Sequence, residues 1–244
     1  MRSALVILSG EYKLTSMKSA TKLTSDQRRA SILLAVRRVF ADKGFDGVTT
    51  RELAEAAGVS EALLFKHFPN KEAIYSAMQN SCCSDEDREL YERLQSLPSS
   101  ASTLVLLVHY LVSRVIRDRP VKEESSVVGR LMLRSLAGDG HFSRMLYGCA
   151  SEKWTPKVAA CLKSAAREGK LAGTEGNPNL GAWLAHHLAM AIVFHECPDK
   201  PVVEYGVSRR DLREQSVRFI LRGLGLKESA IDELYNPMAL SLFE

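Results

Sequence analysis

Apolar side chains recur along this chain at helical spacing, and from Ala101 onward nothing resembles strands with turns at regular spacing. Ile32, Leu33, Val36, Val39 and Phe40 form the stripe of a first helix, opened by the capping pair Thr24 and Gln27 and closed by Gly44. Leu53, Ala54 and Ala57 share one face of a short second helix. Thr49 is its N-cap, and Glu52, three residues on, completes the reciprocal cap that satisfies free backbone N–H groups. Gly58 supplies the turn that follows, because glycine enters the left-handed region without a Cβ penalty. Ser60 then caps a third helix. Its apolar residues Leu63, Leu64, Phe65 and Phe68 leave Glu61, Lys66 and His67 on another face, and Phe65 and Phe68 are expected in the core. Pro69 and Asn70 end that helix and cap the next, with Lys71 in its first turn.

The pattern stays helical to the end. Ile74, Tyr75 and Met78 mark the inner side of a connecting helix, and Ser84-Asp85-Glu86-Asp87 signals a break and a new N-terminus. A short helix through Leu90, Leu94 and Leu97 leads to Pro98. Leu104, Leu107, Val108, Leu111 and Val115 give a strong stripe that stops before Pro120, and Val127, Val128, Leu131 and Met132 give another. Phe142, Met145, Leu146 and Cys149 make a short helix; Thr155-Pro156 caps and starts one that ends at Gly169. After Asn177-Pro178, Leu180, Trp183, Leu184, Leu188, Ala191 and Ile192 form one face of a helix that is apolar nearly all round. Such a helix is expected to be buried on more than one side. Ser208 to Leu224 is amphipathic, and a last short helix runs through Ile231 and Leu234. The fold class expected is all-α: a three-helix N-terminal domain with a helix-turn-helix, followed by a larger helical domain. The boundaries drawn are an extension or basic arm over 1–24, a DNA-binding domain over 25–83 and a regulatory and dimerisation domain over 84–244.

Helix, glycine turn and short helix form a helix-turn-helix, whose second helix has the size to enter a DNA major groove. Arg29, Ile32, Ala35, Phe40, Gly44, Phe45, Thr49, Thr50, Ala54, Ala57, Gly58, Val59, Ser60, Phe68, Lys71 and Glu72 closely resemble the N-terminal pattern of the TetR family of transcriptional repressors. That resemblance covers roughly residues 25 to 80; beyond it only helix pattern and size are similar. The motif departs from its commonest form at Ala62, at Leu63 and at Phe65, where a tyrosine is usual. Phenylalanine keeps the ring packing and lacks the hydroxyl that in this family often reaches a phosphate.

The chain has 244 residues, enough for one medium domain or a small one plus a larger one, and its 45% apolar and 25% charged content is that of a globular protein. A net charge of +4 permits a polyanionic partner without demanding one. No apolar run reaches the length of a transmembrane span, and the apolar stretch Ala4–Leu8 is shorter than a signal-peptide core. Met17 would make a plausible start. The five cysteines are widely spread, without metal-ligand spacing, and read as reduced thiols in a cytoplasm.

On the recognition helix, Ser60, Glu61, Lys66 and His67 are candidates for phosphates or base edges. Glu61, an acceptor, matches a cytosine amino group, and Ala62 and Leu63 match a thymine methyl. Thr49, Thr50 and Lys71 are candidates for phosphate at helix N-termini, as are Lys22 and Arg28 near the start of the first helix. Arg29, Arg37 and Arg38 read mainly as solvated surface. The resemblance implies a homodimer on a pseudo-palindromic operator, joined through the helices near 177–196 and 208–224, and a small, hydrophobic inducer whose identity stays open. His109, Tyr110, Arg114, Trp154, Trp183, His186 and His187 are polar or aromatic groups in apolar segments and form the candidate ligand set. No cofactor is expected, and no membrane partner.

Other classes remain. For an enzyme, no phosphate-cradling glycine loop, nucleophile elbow or zinc-protease motif is found. A metal- or thiol-responsive sensor would draw on Cys149, Cys161 and Cys197, although His187 and His195 lie two helical turns apart, too far to share one ion unaided. An architectural DNA binder would show affinity without sequence preference.

Overall fold

In the computed structural model, the described residues are 23–81, 85–116, 123–138, 140–173, 176–198 and 200–240. They form α1 (Ser25–Lys43), α2 (Thr50–Ala56), α3 (Glu61–His67), α4 (Lys71–Asn80), α5 (Asp85–Ser96), α6 (Ala101–Val115), α7 (Glu123–Ala137), α8 (His141–Cys149), α9 (Thr155–Arg167), α10 (Pro178–Glu196), α11 (Arg209–Gly223), α12 (Glu228–Leu234) and α13 (Pro237–Leu240). Extended pairing among them is a single antiparallel bridge between Leu171 and Leu226. The all-α expectation holds. Cys82, Cys83 and the expected cap at Ser84 lie outside the described residues, as do Lys22 and most of the 1–24 segment.

Local capping chemistry sets most of the boundaries. Thr24 and Gln27 form a reciprocal box at α1, as Thr49 and Glu52 do at α2; Ser60, Ser100, Asn177 and Ser208 cap α3, α6, α10 and α11 through their side chains. The start of α9 is different. The expected cap at Thr155 is absent: a five-residue π-helical turn, Ala150–Trp154, carries the chain from α8 straight into α9, and Thr155 is buried as its first residue.

Two apolar cores result. The first joins Ile32, Val36 and Phe40 of α1 to Leu53, Leu64, Phe68, Ile74 and Met78, and takes in Val127, Leu131 and Met132 of α7 and Phe142 of α8 from the other half of the sequence. The second is built around α6, whose Leu104, Leu107, Val108 and Val112 meet Val158 and Leu162 of α9, Ala182 and Ala185 of α10, and Val217, Ile220 and Leu221 of α11. Each fully buried side chain of this size contributes about 1.5–3 kcal/mol.

Polar ties reinforce both. Arg134 of α7 donates to the Asp42 carbonyl at 2.6 Å, and Arg130 lies 3.6 Å from the Asp42 carboxylate, so α7 grips the C-terminal turn of α1. Lys157 donates to the Gln95 carbonyl at 2.9 Å, while Glu168 accepts from the Ala101 amide, so the two ends of α9 hold the α5–α6 turn. Helix α10 lies against α7 closely enough that a methyl group at Gly129 would run into the Cys197 sulfur.

Helix α10, apolar nearly all round, turns one face inward and leaves another uncovered within one chain. Ala182, Ala185, Ala189 and Ile192 point inward, whereas Leu180 is 55% exposed and Leu184 60% exposed. Small residues lie inside because α10 packs closely against its neighbours, and the longer leucines are left on the outer side.

Candidate nucleic-acid interface

The α2–turn–α3 unit is fixed by its ends. Gly58 has φ +63, the left-handed conformation that reverses the chain after α2, and the Val59 amide donates back to the Ala54 carbonyl at 3.0 Å. Ser60 Oγ accepts from the Leu63 amide at 3.2 Å and starts α3. Within α3 only Leu64 is buried, with Phe68 just beyond it; Glu61, Ala62, Phe65 and Lys66 are exposed, and Leu63 and His67 are half-buried. Phe65 therefore departs from the expected core position. It is 41% exposed and belongs to neither core, whereas Leu64 and Phe68 are fully buried in the first.

Side chains read as solvent or phosphate contacts turn out to hold this unit together. Arg29 donates to the His67 carbonyl at 2.6 Å and lies 4.1 Å from the Phe68 ring centroid, closing the C-terminal end of α3. Arg37 likewise reaches Ser81 at the end of α4. Both arginines thus carry structural contacts, Arg29 while remaining exposed and Arg37 while half-buried. Lys71 also points inward: its ammonium donates to the carbonyls of Phe45 at 2.8 Å and Val48 at 2.9 Å and lies over the Phe45 ring. Two of its three donors are engaged in fixing the turn before α2 rather than aimed at phosphate.

The threonines are tied in too. Thr49 donates its hydroxyl proton to Glu52 at 2.9 Å, and Thr50 donates to Glu61 at 2.9 Å, which joins the start of α2 to the start of α3. The Lys43 ammonium, then the amide and hydroxyl of Thr49, hold the Glu52 carboxyl down at about 2. The hydroxyl protons of Thr49 and Thr50 are therefore engaged within the protein, while Ser60 and Lys66 are exposed, as is Arg51 of α2, which pairs with Glu55. Arg28 sits half-buried in the first turn of α1.

In the C-terminal half, the seven candidate ligand residues divide into two groups. His109 is buried on α6, 3.3 Å from Ser113 Oγ and 5.9 Å between ring centroids from Tyr235. Tyr110 stacks on Tyr91 and accepts from Arg114 at 3.1 Å; Trp154 is buried in the same core with an indole N–H that lacks a hydrogen-bond partner. Trp183, His186 and His187 instead cluster with Tyr147 of α8, with ring centroids 5.5 to 6.0 Å apart. Tyr147 was missed by the sequence reading because only the fold brings α8 to α10. Burial, then the neighbouring His187, lowers the His186 imidazole to about 4. An open cleft of about 220 Å³ lies elsewhere, between the C-terminal parts of α9 and α11 and the start of α10, walled by Leu162, Leu171, Leu224 and Pro178. None of the seven lines it.

Cys161 is buried in the C-terminal core and Cys197 against Gly129; burial pushes both thiols up, away from the reactive thiolate. The Cys149 side chain lies outside those described. Among the described residues no group of three or more His, Cys, Asp or Glu is placed to hold a metal ion, and no helix is long and apolar enough to cross a membrane.

Comparison with known proteins agrees with this geometry. Residues 32–78 match the model of a family described as bacterial regulatory proteins, tetR family. The chain is 43% identical over 51 residues to the HTH-type transcriptional repressor AcnR of Corynebacterium diphtheriae, 21% of this chain and 27% of that protein. It is 36% identical over 61 residues to the HTH-type transcriptional activator FasR of Mycolicibacterium smegmatis, 25% of this chain and 28% of that protein. The matches thus span little more than a quarter of these relatives' length. Among solved structures, AibR in complex with isovaleryl coenzyme A and operator DNA aligns with a TM-score of 0.59 at 19% identity, over 79% of this chain and 97% of that one. The ketosteroid transcriptional regulator KstR2 of Mycobacterium tuberculosis aligns with a TM-score of 0.58 at 17% identity, over 82% and 96%. These likenesses establish the fold.

Proposed function

We propose, from the premise that the N-terminal domain belongs to the tetR family of bacterial regulatory proteins, that this chain is a transcriptional regulator binding a pseudo-palindromic operator as a homodimer and released by a small organic ligand. The observation that carries the reading is α3: a capped helix anchored by Leu64 and Phe68, presenting Ser60, Glu61, Ala62 and Lys66 outward at the width of a major groove. Lys66, with Lys22 and Arg28 nearer the first helix, supplies charge for phosphate; Glu61, held by Thr50, accepts from a base edge.

Dimerisation is supported by the outer face of α10 and by α11. Leu180, Leu184 and the 65% exposed Phe219 of α11 are large apolar groups left uncovered within one chain, and a second copy would bury them across a twofold axis. Such a dimer carries two recognition helices, which read half-sites about one helical turn apart or at a related spacing. A regulatory ligand acts only if it binds the DNA-competent and released states with different affinity. The contact of α7 and α10 with the first core gives a route by which a change in the C-terminal half reaches α1. Repression is the default of the resembled family, and the named relatives include both a repressor and an activator. Nothing in the placement of Cys161 and Cys197 favours a metal- or thiol-responsive sensor.

The test is a mobility shift with DNA upstream of the chain's own gene, backed by selection from a random duplex pool, at two salt concentrations. A sequence-specific shift by a dimer that weakens with salt is expected. Binding that prefers no sequence over random duplex would make the chain an architectural binder instead.

A further inference from the structure

Phe65 is an apolar ring placed where the sequence reading expected none. On a helix that turns about 100° per residue, Ala62, Phe65 and Lys66 fall within about 100° of one another, clear of the buried edge formed by Leu64 and Phe68. Phe65 is 41% exposed, stands outside both cores, and has the exposed Lys66 as its sequence neighbour. Lys66 suits a phosphate; Phe65 has no donor and cannot pair with one. In the major groove the apolar feature that distinguishes base pairs is the thymine C5-methyl group. Ala62 is too short to cover such a methyl alone, and its small side chain leaves the neighbouring ring room to approach the base edge.

We propose that Phe65 is a specificity-determining residue that reads the methyl group of a thymine at one fixed position in each half-site, with Ala62 completing the apolar contact. This rests on the operator reading above. It makes part of the operator sequence legible through methyl contact, where a hydroxyl at the same position would instead add a hydrogen bond.

The experiment separates the two claims. The full-length chain selects its preferred duplex from a random pool, and each thymine of that duplex is then replaced singly by deoxyuridine, which removes the methyl and keeps the base pair and the charge. One position per half-site is expected to lose about fourfold in affinity, the fold-change carried by one buried methyl-sized group at about 0.8 kcal/mol. Replacing both is expected to lose about sixteenfold. Phe65→Ala weakens the selected duplex and abolishes the penalty at that position; Phe65→Tyr, which keeps the ring and its packing, retains it. The inference is overturned if no uridine position costs affinity, or if the penalty survives unchanged in Phe65→Ala. A pool that yields no enriched sequence removes the operator reading, and the inference with it.

Discussion

The Arg29 guanidinium donates to the carbonyl of His67, the last residue of α3, at 2.6 Å, and so the first helix closes the open end of the recognition helix. A helix of seven residues is too short to be stable on its own, and its last carbonyls need partners. The same guanidinium covers the Phe68 ring. Arg29→Ala is expected to destabilise the N-terminal domain by about 1–2 kcal/mol and to speed amide exchange across α3 more than across α1. Arg29→Lys recovers only part of this, because an ammonium cannot stack on the ring as a guanidinium does. Equal exchange rates in wild type and Arg29→Ala would show that the contact does not hold α3.

Lys71 gives a second prediction, with a readout that separates structure from DNA contact. Its ammonium bonds the carbonyls of Phe45 and Val48, 26 and 23 residues earlier in the chain. Lys71→Ala should lower the melting temperature and weaken operator binding through loss of the turn before α2. The slope of log affinity against log salt should stay the same. A slope reduced by about 0.9, the value for one phosphate contact, would return Lys71 to the phosphate-binding set.

What the sequence made legible here was local. Thr24 with Gln27, Thr49 with Glu52, Ser60, Gly58 and Asn177 act on backbone groups within a few residues of themselves, so spacing alone identifies them. The side on which an apolar residue ends up is set by distant neighbours. Phe65, on α3, and Phe68, just past its end, lie three residues apart, yet only Phe68 enters the first core. Helix α10 is apolar nearly all round, so its pattern left open which face its own chain would bury; close packing against its neighbours selected the alanines and left Leu180 and Leu184 outside. Arg29 and Lys71 were recognisable as motif positions, but their partners are carbonyls, which have no side-chain signature. The candidate ligand residues scattered for the same reason: Tyr147 comes to Trp183 and His186 through the packing of α8 on α10, which residue type does not announce.

The acid limb of stability should carry the signature of His186. Its imidazole, ordinarily near 6.5, is lowered to about 4 by burial and by His187. Below pH 6.5 the unfolded chain takes up a proton that the folded chain still refuses, so stability falls as pH drops from about 6.5 towards about 4. One proton per chain corresponds to about a tenfold change in the folding equilibrium per pH unit at most. His186→Phe should flatten this part of the curve measured by denaturant unfolding, while a His187→Phe control should flatten it less. An NMR titration showing His186 protonated at pH 6 would contradict the burial that the packing implies.

The outer face of α10 and α11 makes the last prediction, about assembly. Leu184 and Phe219 are large apolar groups on the two helices assigned to the dimer, and exposing both to water in a monomer is unfavourable by about 25 cal/mol for each Å² of apolar surface. A charge there leaves the monomer's own packing intact, because neither side chain is buried within one chain. Buried across a twofold interface, however, it meets the partner's apolar surface, and by symmetry each substitution counts twice. Leu184→Glu and Phe219→Glu should therefore each convert the protein to monomer at micromolar concentration by sedimentation analysis, with unchanged helicity by circular dichroism. Operator affinity should fall by at least tenfold, since a lone recognition helix keeps one half-site and loses the effective concentration that the linked second one provides. A dimer that survives both substitutions would move the interface away from α10 and α11. The exposed apolar loop between them, Val202 to Val207, would then be the next surface to substitute.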